Sequence, residues 1–318
     1  HIREINMIYI IGAGYMAREY ARVLKALDEK FLVIGRGEKS VEQIKADLDT
    51  QAVSGGLRKF IEGKGQVPNC AIVCTPVDSL ASVTLELLRF GVKKILVEKP
   101  GALSLDGLLK IKETAKEYEA QVVVGYNRRF YQSTLALKDR LKGEQLIGAN
   151  FEITEWSHAL NNDFSPEIVK QKWVIANTSH VIDLVMHITG QFKELASFTS
   201  GGLSWHESAA RFAGSGISDG GVLISYCGYW DGPGRWSAEF VTNENRYIFR
   251  PMEKLQVQRL GSLSVGFDEL VDYTLDEEFK PGLYLQTQLF ISNVYDDFCT
   301  IDEQIESFNL YNRIANYE

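Results

Sequence analysis

Over the first 126 residues, short β-branched apolar runs alternate with stretches of helical spacing. The runs are Met7–Ile11, Phe31–Ile34, Ala71–Cys74, Ile95–Val97 and Val122–Val124. Between them, Tyr15–Leu27, Val41–Asp49, Ser79–Arg89 and Leu105–Tyr118 carry apolar residues three or four apart, the period of a helix with one buried face. Runs that are apolar throughout suit strands covered on both faces, and helices between them suit crossover connections. The first half therefore predicts an α/β, doubly wound parallel sheet. His1–Asn6 precede the first run and read as a tag or short extension outside the fold.

From about Ile147 the pattern changes to longer alternating segments, Val222–Tyr229, Trp236–Val241 and Tyr247–Phe249. Asp219-Gly220-Gly221, Asp231-Gly232-Pro233-Gly234 and Asn243-Glu244-Asn245 read as hairpin turns between antiparallel strands. A helix over Thr178–Thr189 interrupts this half, and a helical stretch over Gly282–Tyr317 closes it. The reading is two domains, 1–126 and 127–318, the second an α+β domain on an open, mostly antiparallel sheet.

Composition narrows the function classes. A chain of 318 residues has length for two cores, and 45% hydrophobic with 24% charged residues is ordinary globular usage. Its 34 basic against 42 acidic residues give a formal charge of −8, the wrong sign for neutralising phosphates along a nucleic acid. Cys70, Cys74, Cys227 and Cys299 are scattered without CxxC spacing, so reduced thiols are expected and neither a disulfide scaffold nor a metal site. With no apolar run of about 18 residues and no signal-peptide layout, the expectation is a soluble, cytoplasmic protein without a membrane partner.

Met7–Ile11 runs into Gly12-Ala13-Gly14-Tyr15-Met16-Ala17 and then a helix, placing GxGxxA at a strand-to-helix turn. Gly12 permits the turn, Gly14 admits a pyrophosphate to the backbone, Ala17 allows close packing, and the helix start offers free N–H groups. The first domain is therefore expected to bind a dinucleotide. After the second run, Gly35-Arg36-Gly37 places Arg36 where an NAD-specific domain usually carries an acidic residue for the ribose hydroxyl. A guanidinium there stacks on adenine and pairs with a 2′-phosphate, with Lys39 and Ser40 at hand, so NADP(H) is the preferred cofactor and NAD(H) the lesser one.

Cys74-Thr75-Pro76, Glu98-Lys99-Pro100, Gly125-Tyr126-Asn127-Arg128-Arg129-Phe130 and Ser179-His180-Val181-Ile182-Asp183 follow in order. Together with the glycine motif they resemble the Gfo/Idh/MocA family of NAD(P)-dependent oxidoreductases. The resemblance implies an N-terminal Rossmann domain and a C-terminal domain for substrate binding and oligomerisation. Thr75, Glu98, Lys99 and Asn127 also stand at carboxyl ends of predicted parallel strands, where open α/β sheets bind ligands. Cofactor contacts are then expected from Gly12, Gly14, Tyr15, Met16, Arg36, Thr75, Pro76, Glu98 and Lys99. Substrate contacts are expected from Asn127, Arg129, Asn177 and His180, although one of Arg128 and Arg129 is open to pairing with a core carboxylate.

The resemblance implies Lys99 and His180 as the catalytic pair, the lysine stabilising a developing alkoxide and the histidine carrying the proton. His180 is placed in the first turn of its helix, capped by Asn177 or Thr178, where the positive helix end favours a neutral ring. One departure stands out: many sugar dehydrogenases of the family have Asp four residues before this His, and here that residue is Ala176. The expected activity is hydride transfer between nicotinamide and a sugar, polyol or sugar-derived substrate. The alternatives are a biliverdin- or imine-type reductase and a non-catalytic cofactor-binding regulator. An open sheet with one covered face also predicts a homodimer or homotetramer through the other.

Overall fold

In the computed structural model, which describes residues 4–63, 65–160 and 165–317, the chain divides into two units. His1–Asn127 and Glu278–Ile305 form the first; Arg128–Glu277 and Glu306–Glu318 form the second. The opening segment runs β1 (Glu4–Ile11), α1 (Tyr15–Ala26), β2 (Phe31–Ile34), α2 (Glu38–Leu48), β3 (Ala52–Val53), α3 (Gly56–Glu62), β4 (Val67–Val73), α4 (Leu80–Phe90), β5 (Lys94–Glu98), α5 (Leu105–Glu117) and β6 (Gln121–Gly125). β1 to β6 pair in parallel in the order β6-β5-β4-β1-β2-β3, the doubly wound arrangement in which the strand order reverses beside β1. Ile10, Ile72, Leu96 and Val123 are fully buried at the centre of their strands, which is why those runs are apolar without alternation. β1 begins at Glu4, so Glu4–Asn6 belong to the strand and not to an extension; His1–Arg3 lie outside the described residues.

The second unit begins with α6 (Gln132–Arg140) and β7 (Leu146–Glu152), then the short helices α7 (Ser157–Leu160) and α8 (Glu167–Gln171) and the long α9 (Ser179–Thr189). β8 (Phe192–Ser200), β9 (Arg211–Ser218), β10 (Leu223–Tyr229), β11 (Ser237–Thr242), β12 (Asn245–Phe249), β13 (Gln256–Arg259) and β14 (Gly266–Phe267) follow, then α10 (Thr274–Glu278). These form a sheet in the order β14-β13-β12-β11-β7-β10-β9-β8. The hairpins β9–β10 and β11–β12 turn at two of the expected sites. Asp231–Gly234 is different: β10 and β11 do not pair, because β7 lies between them, parallel to β10 and antiparallel to β11. Sequence proximity suggested a hairpin, and an earlier strand took the place.

α9 is buried almost all round, and Ala149 and Phe151 on the adjacent face of β7 are buried as well. The chain then passes through α11 (Leu283–Ile291) and β15 (Cys299–Thr300) to α12 (Ile301–Ala315), so the closing stretch is not helical throughout. β15 adds an antiparallel strand to the first unit's sheet through Cys299↔Val124. Glu278–Ile305 thus belong with the first unit, where a cut after residue 126 had left them in the second. Among the described residues no helix is long and apolar enough to cross a membrane.

Candidate active site

The candidate residues fall into two groups, one in each unit. In the first, a cleft of about 1210 Å³ opens over the β1–α1 turn, and Gly12, Gly14, Tyr15, Met16, Arg36, Thr75 and Pro76 all line it. The two glycines serve different purposes. Gly12 has φ of +122°, and a Cβ there would stand 2.7 Å from the Cys74 carbonyl oxygen, so the turn itself requires glycine. Gly14 is extended, and a Cβ on it would meet nothing within 4 Å: the space beside it belongs to the cleft. α1 begins there without a side-chain cap or an acidic residue in its first turn, so its leading N–H groups and positive end remain available to an anion. Thr75 Oγ1, buried at the same cleft, has no hydrogen-bond partner among the described residues. Open N–H groups, an open glycine and an orphaned hydroxyl fit the pyrophosphate of a dinucleotide.

Arg36 is exposed at the cleft, and no described residue pairs with its side chain. Arg58 and Arg89 line the cleft too, Arg58 lying 3.5 Å from Glu86. Sequence reasoning missed this wall, which comes from the start of α3 and from α4; the Gly55-Gly56 pair, both at positive φ, was its one local signal.

Glu98 and Lys99 end β5 outside the lining of that cleft. The Glu98 carboxylate accepts a 2.5 Å hydrogen bond from Tyr20, whose hydroxyl also accepts from Gln286 Nε2 at 2.9 Å. Burial pushes the Glu98 carboxyl above its usual range, opposed by the Tyr20 hydrogen bond and by the charges of Lys99 and Lys280. Tyr20 is itself raised well above an ordinary phenol by burial and by Glu98. The turn after Lys99 is pinned by Gln304 Nε2, which donates to the Pro100 carbonyl at 2.9 Å and to the Tyr126 hydroxyl at 3.1 Å. Asn127 is buried and donates to the Pro281 carbonyl at 2.9 Å, so its amide holds the returning segment.

In the second unit, His180, Asn177 and Arg129 do not form the arrangement the sequence suggests. Arg129, 2% exposed, clasps Asp183 with Nε at 2.9 Å and Nη2 at 2.6 Å. That two-pronged edge is committed to the core carboxylate, and the neighbouring Arg128 is the one that reaches the ring beside His180. The Arg128 guanidinium carbon lies 4.8 Å from the centroid of Trp236, and the His180 ring 6.3 Å from the same indole. On Trp236 the Arg235 guanidinium lies 4.4 Å from the centroid, and it also stacks 4.7 Å from Trp156.

His180 is not in the first turn of a helix. Helical backbone starts at Trp173 and passes through a wide π-turn, Val174–Thr178, before α9, and Thr178 itself has helical φ and ψ. Asn177 and Thr178 therefore cap nothing, and the positive helix end lies farther upstream. Both side chains turn instead to Glu155, just past β7. Its Oε1 accepts from Asn177 Nδ2 at 3.1 Å and Thr178 Oγ1 at 2.7 Å, while Oε2 lies 3.3 Å from Arg235 Nη1. Glu155 is 3% exposed. Glu155, which sequence reasoning passed over because no motif contains it, thus gathers Asn177, Thr178 and Arg235 around one buried carboxylate. Among the described residues no group of three or more His, Cys, Asp and Glu could hold a metal ion.

A family model described as an oxidoreductase family with an NAD-binding Rossmann fold, Gfo/Idh/MocA, matches residues 7–126. No curated protein matches the chain in sequence. Among solved structures, levoglucosan dehydrogenase in complex with NADH is similar, at 14% identity over 99% of this chain and 97% of that one, with a TM-score of 0.76. UDP-N-acetylglucosamine 3-dehydrogenase GnnA from Acidithiobacillus ferrooxidans gives 12% identity, 99% and 98% coverage and 0.76. A dehydrogenase (MviM) from Clostridium difficile gives 16%, 98% and 99%, and 0.77. At such identities the likeness is one of fold, a Rossmann-like parallel sheet followed by a mostly antiparallel one, and it spans both units. Residues 7–126 thus match the NAD-binding Rossmann domain of the Gfo/Idh/MocA oxidoreductase family.

Proposed function

We propose that the protein is an NADP(H)-preferring oxidoreductase that interconverts CH–OH and C=O on a sugar, a polyol or a sugar-derived acid. The observation that carries this reading is the cleft at the β1–α1 turn, where an uncapped helix start, an open Gly14 and an orphaned Thr75 hydroxyl meet. A nicotinamide bound there supplies or accepts the hydride. His180 takes the hydroxyl proton in oxidation and returns it in reduction, and Lys99 stabilises negative charge on the substrate oxygen. That levoglucosan dehydrogenase and the UDP-N-acetylglucosamine dehydrogenase share the fold supports a carbohydrate substrate. Lys99 and His180, both present, argue against a regulator without turnover.

His180→Ala and Lys99→Met are each expected to lower turnover about 10²- to 10⁴-fold with cofactor affinity nearly unchanged. Full turnover in His180→Ala would move the proton to another carrier and favour an imine-type substrate. Arg36, which pairs with no described residue, supports the cofactor preference, by a charge-assisted contact of about 1.5 to 3 kcal/mol. NADPH should therefore bind about one to two decades more tightly than NADH, with the order reversed in Arg36→Asp. Equal dissociation constants in the unaltered protein would end that assignment. The register also puts Phe198, Leu223 and Tyr229 on the sheet face opposite Ala149 and Phe151, at 70%, 64% and 47% exposure. This supports a homodimer or homotetramer through that face. Sedimentation equilibrium showing only monomer at micromolar concentration would rule it out.

A further inference from the structure

Two arginines share the Trp236 indole, and among the described residues only one of them has a carboxylate partner. Arg235 has a partner in Glu155, whose other oxygen is already taken by Asn177 and Thr178. Arg129, next in sequence, is paired with Asp183. Among the described residues Arg128 makes no ion pair: its guanidinium lies over Trp236 at 4.8 Å and near the Tyr131 ring at 5.7 Å, and its buried Nε has no hydrogen-bond partner there. Trp236, 5% exposed, likewise keeps a buried Nε1 without a partner there. Two buried donors of one cluster thus lack an acceptor among the described residues, beside a guanidinium that makes no ion pair there. Such groups regain their lost hydrogen bonds from any acceptor, and beside a guanidinium a negatively charged one binds most strongly. Aromatic faces hold a guanidinium flat and leave its N–H edge free, the geometry that takes a carboxylate or phosphate by two parallel bonds.

We propose that the Arg128–Trp236 cluster beside His180 is an anion-binding subsite, so that the substrate carries a carboxylate or a phosphate besides the hydroxyl that is oxidised. The second clause rests on the activity proposed above; the subsite itself does not. Calorimetry on the full chain saturated with NADP⁺ tests it, with D-gluconate, D-glucose 6-phosphate and neutral D-glucose as probes. One of the two anions is expected to bind at least 10-fold more tightly than glucose, and which one does separates carboxylate from phosphate. In Arg128→Gln the preference should fall to about 1 while NADP⁺ affinity stays the same. Arg128→Lys, which keeps the charge but loses the fork, should retain part of it. Arg211→Gln, altering an exposed arginine paired with Asp231, should keep all of it. Glucose binding as tightly as both anions, no binding of any probe, or equal weakening of all three in Arg128→Gln would overturn the subsite. Arg128-dependent anion binding without any change in nicotinamide absorbance would instead refute the proposed activity and leave the subsite standing.

Discussion

The cleft at the β1–α1 turn and the cluster around Trp236 are built in opposite ways. The cleft's floor is backbone: a glycine in a left-handed turn, a second glycine facing open space, and the first N–H groups of α1, all within six residues, Gly12–Ala17. The cluster is side chains alone, drawn from Arg128, Glu155, Asn177–His180 and Arg235–Trp236. Backbone recognition of a pyrophosphate needs one local conformation, so it can be written in one contiguous motif. Side-chain recognition of a substrate needs groups converging from several directions, which only separate segments supply.

The contrast can be broken at either end. Gly12→Ala forces a Cβ to 2.7 Å from the Cys74 carbonyl oxygen at a φ of +122°, and should cost about 3 kcal/mol or more of stability in urea unfolding. Gly14→Ala meets no protein atom, so stability should change by about 0.5 kcal/mol at most while cofactor affinity falls at least tenfold. A Gly14→Ala protein that binds cofactor normally would show that the open space beside it is not where the dinucleotide lies. In the second unit, Asn177→Asp sharpens the comparison. A residue that only capped a helix would tolerate Asp, but here the change removes the donor to Glu155 Oε1 and sets two carboxylates against each other. The expected loss is about 1 to 3 kcal/mol in thermal or urea unfolding at pH 7. That loss should shrink as the pH is lowered through the carboxylate range, because protonating either acid relieves the repulsion. An unchanged midpoint at pH 7 would return Asn177 to a capping role.

Legibility followed the same division. The longer parallel strands of the first unit were readable to within a few residues, because a strand buried on both faces must be apolar throughout and a crossover helix must show its period. β3, two residues long, had too little pattern to see. In the second unit, Asp231–Gly234 carries the chemistry of a turn whether or not its flanking strands pair, and nothing in those residues announces that β7 intervenes. The π-turn before α9 was invisible for a related reason: Val174–Thr178 has the composition of an ordinary helix start, and the wide turn accompanies Asn177 and Thr178 facing Glu155, more than twenty residues away. Arg128 and Arg129 are adjacent and chemically identical. Which of them pairs in the core depends on which meets Asp183, and that is a property of packing.

By itself, then, the sequence determined the Rossmann half, the glycine turn, Lys99 at the end of β5 and His180 on a helix of the second half, because each follows from a local period or a local backbone requirement. Only the tertiary structure decided that Asn177 and Thr178 donate to Glu155, that Arg129 is spent on Asp183 while Arg128 stays on Trp236, and that Glu278–Ile305 return to the first unit. The physical reason is range: periodicity and turn chemistry act over a few residues, whereas a buried charge must be matched by whatever partner the fold brings within about 3 Å, wherever in the chain that partner lies.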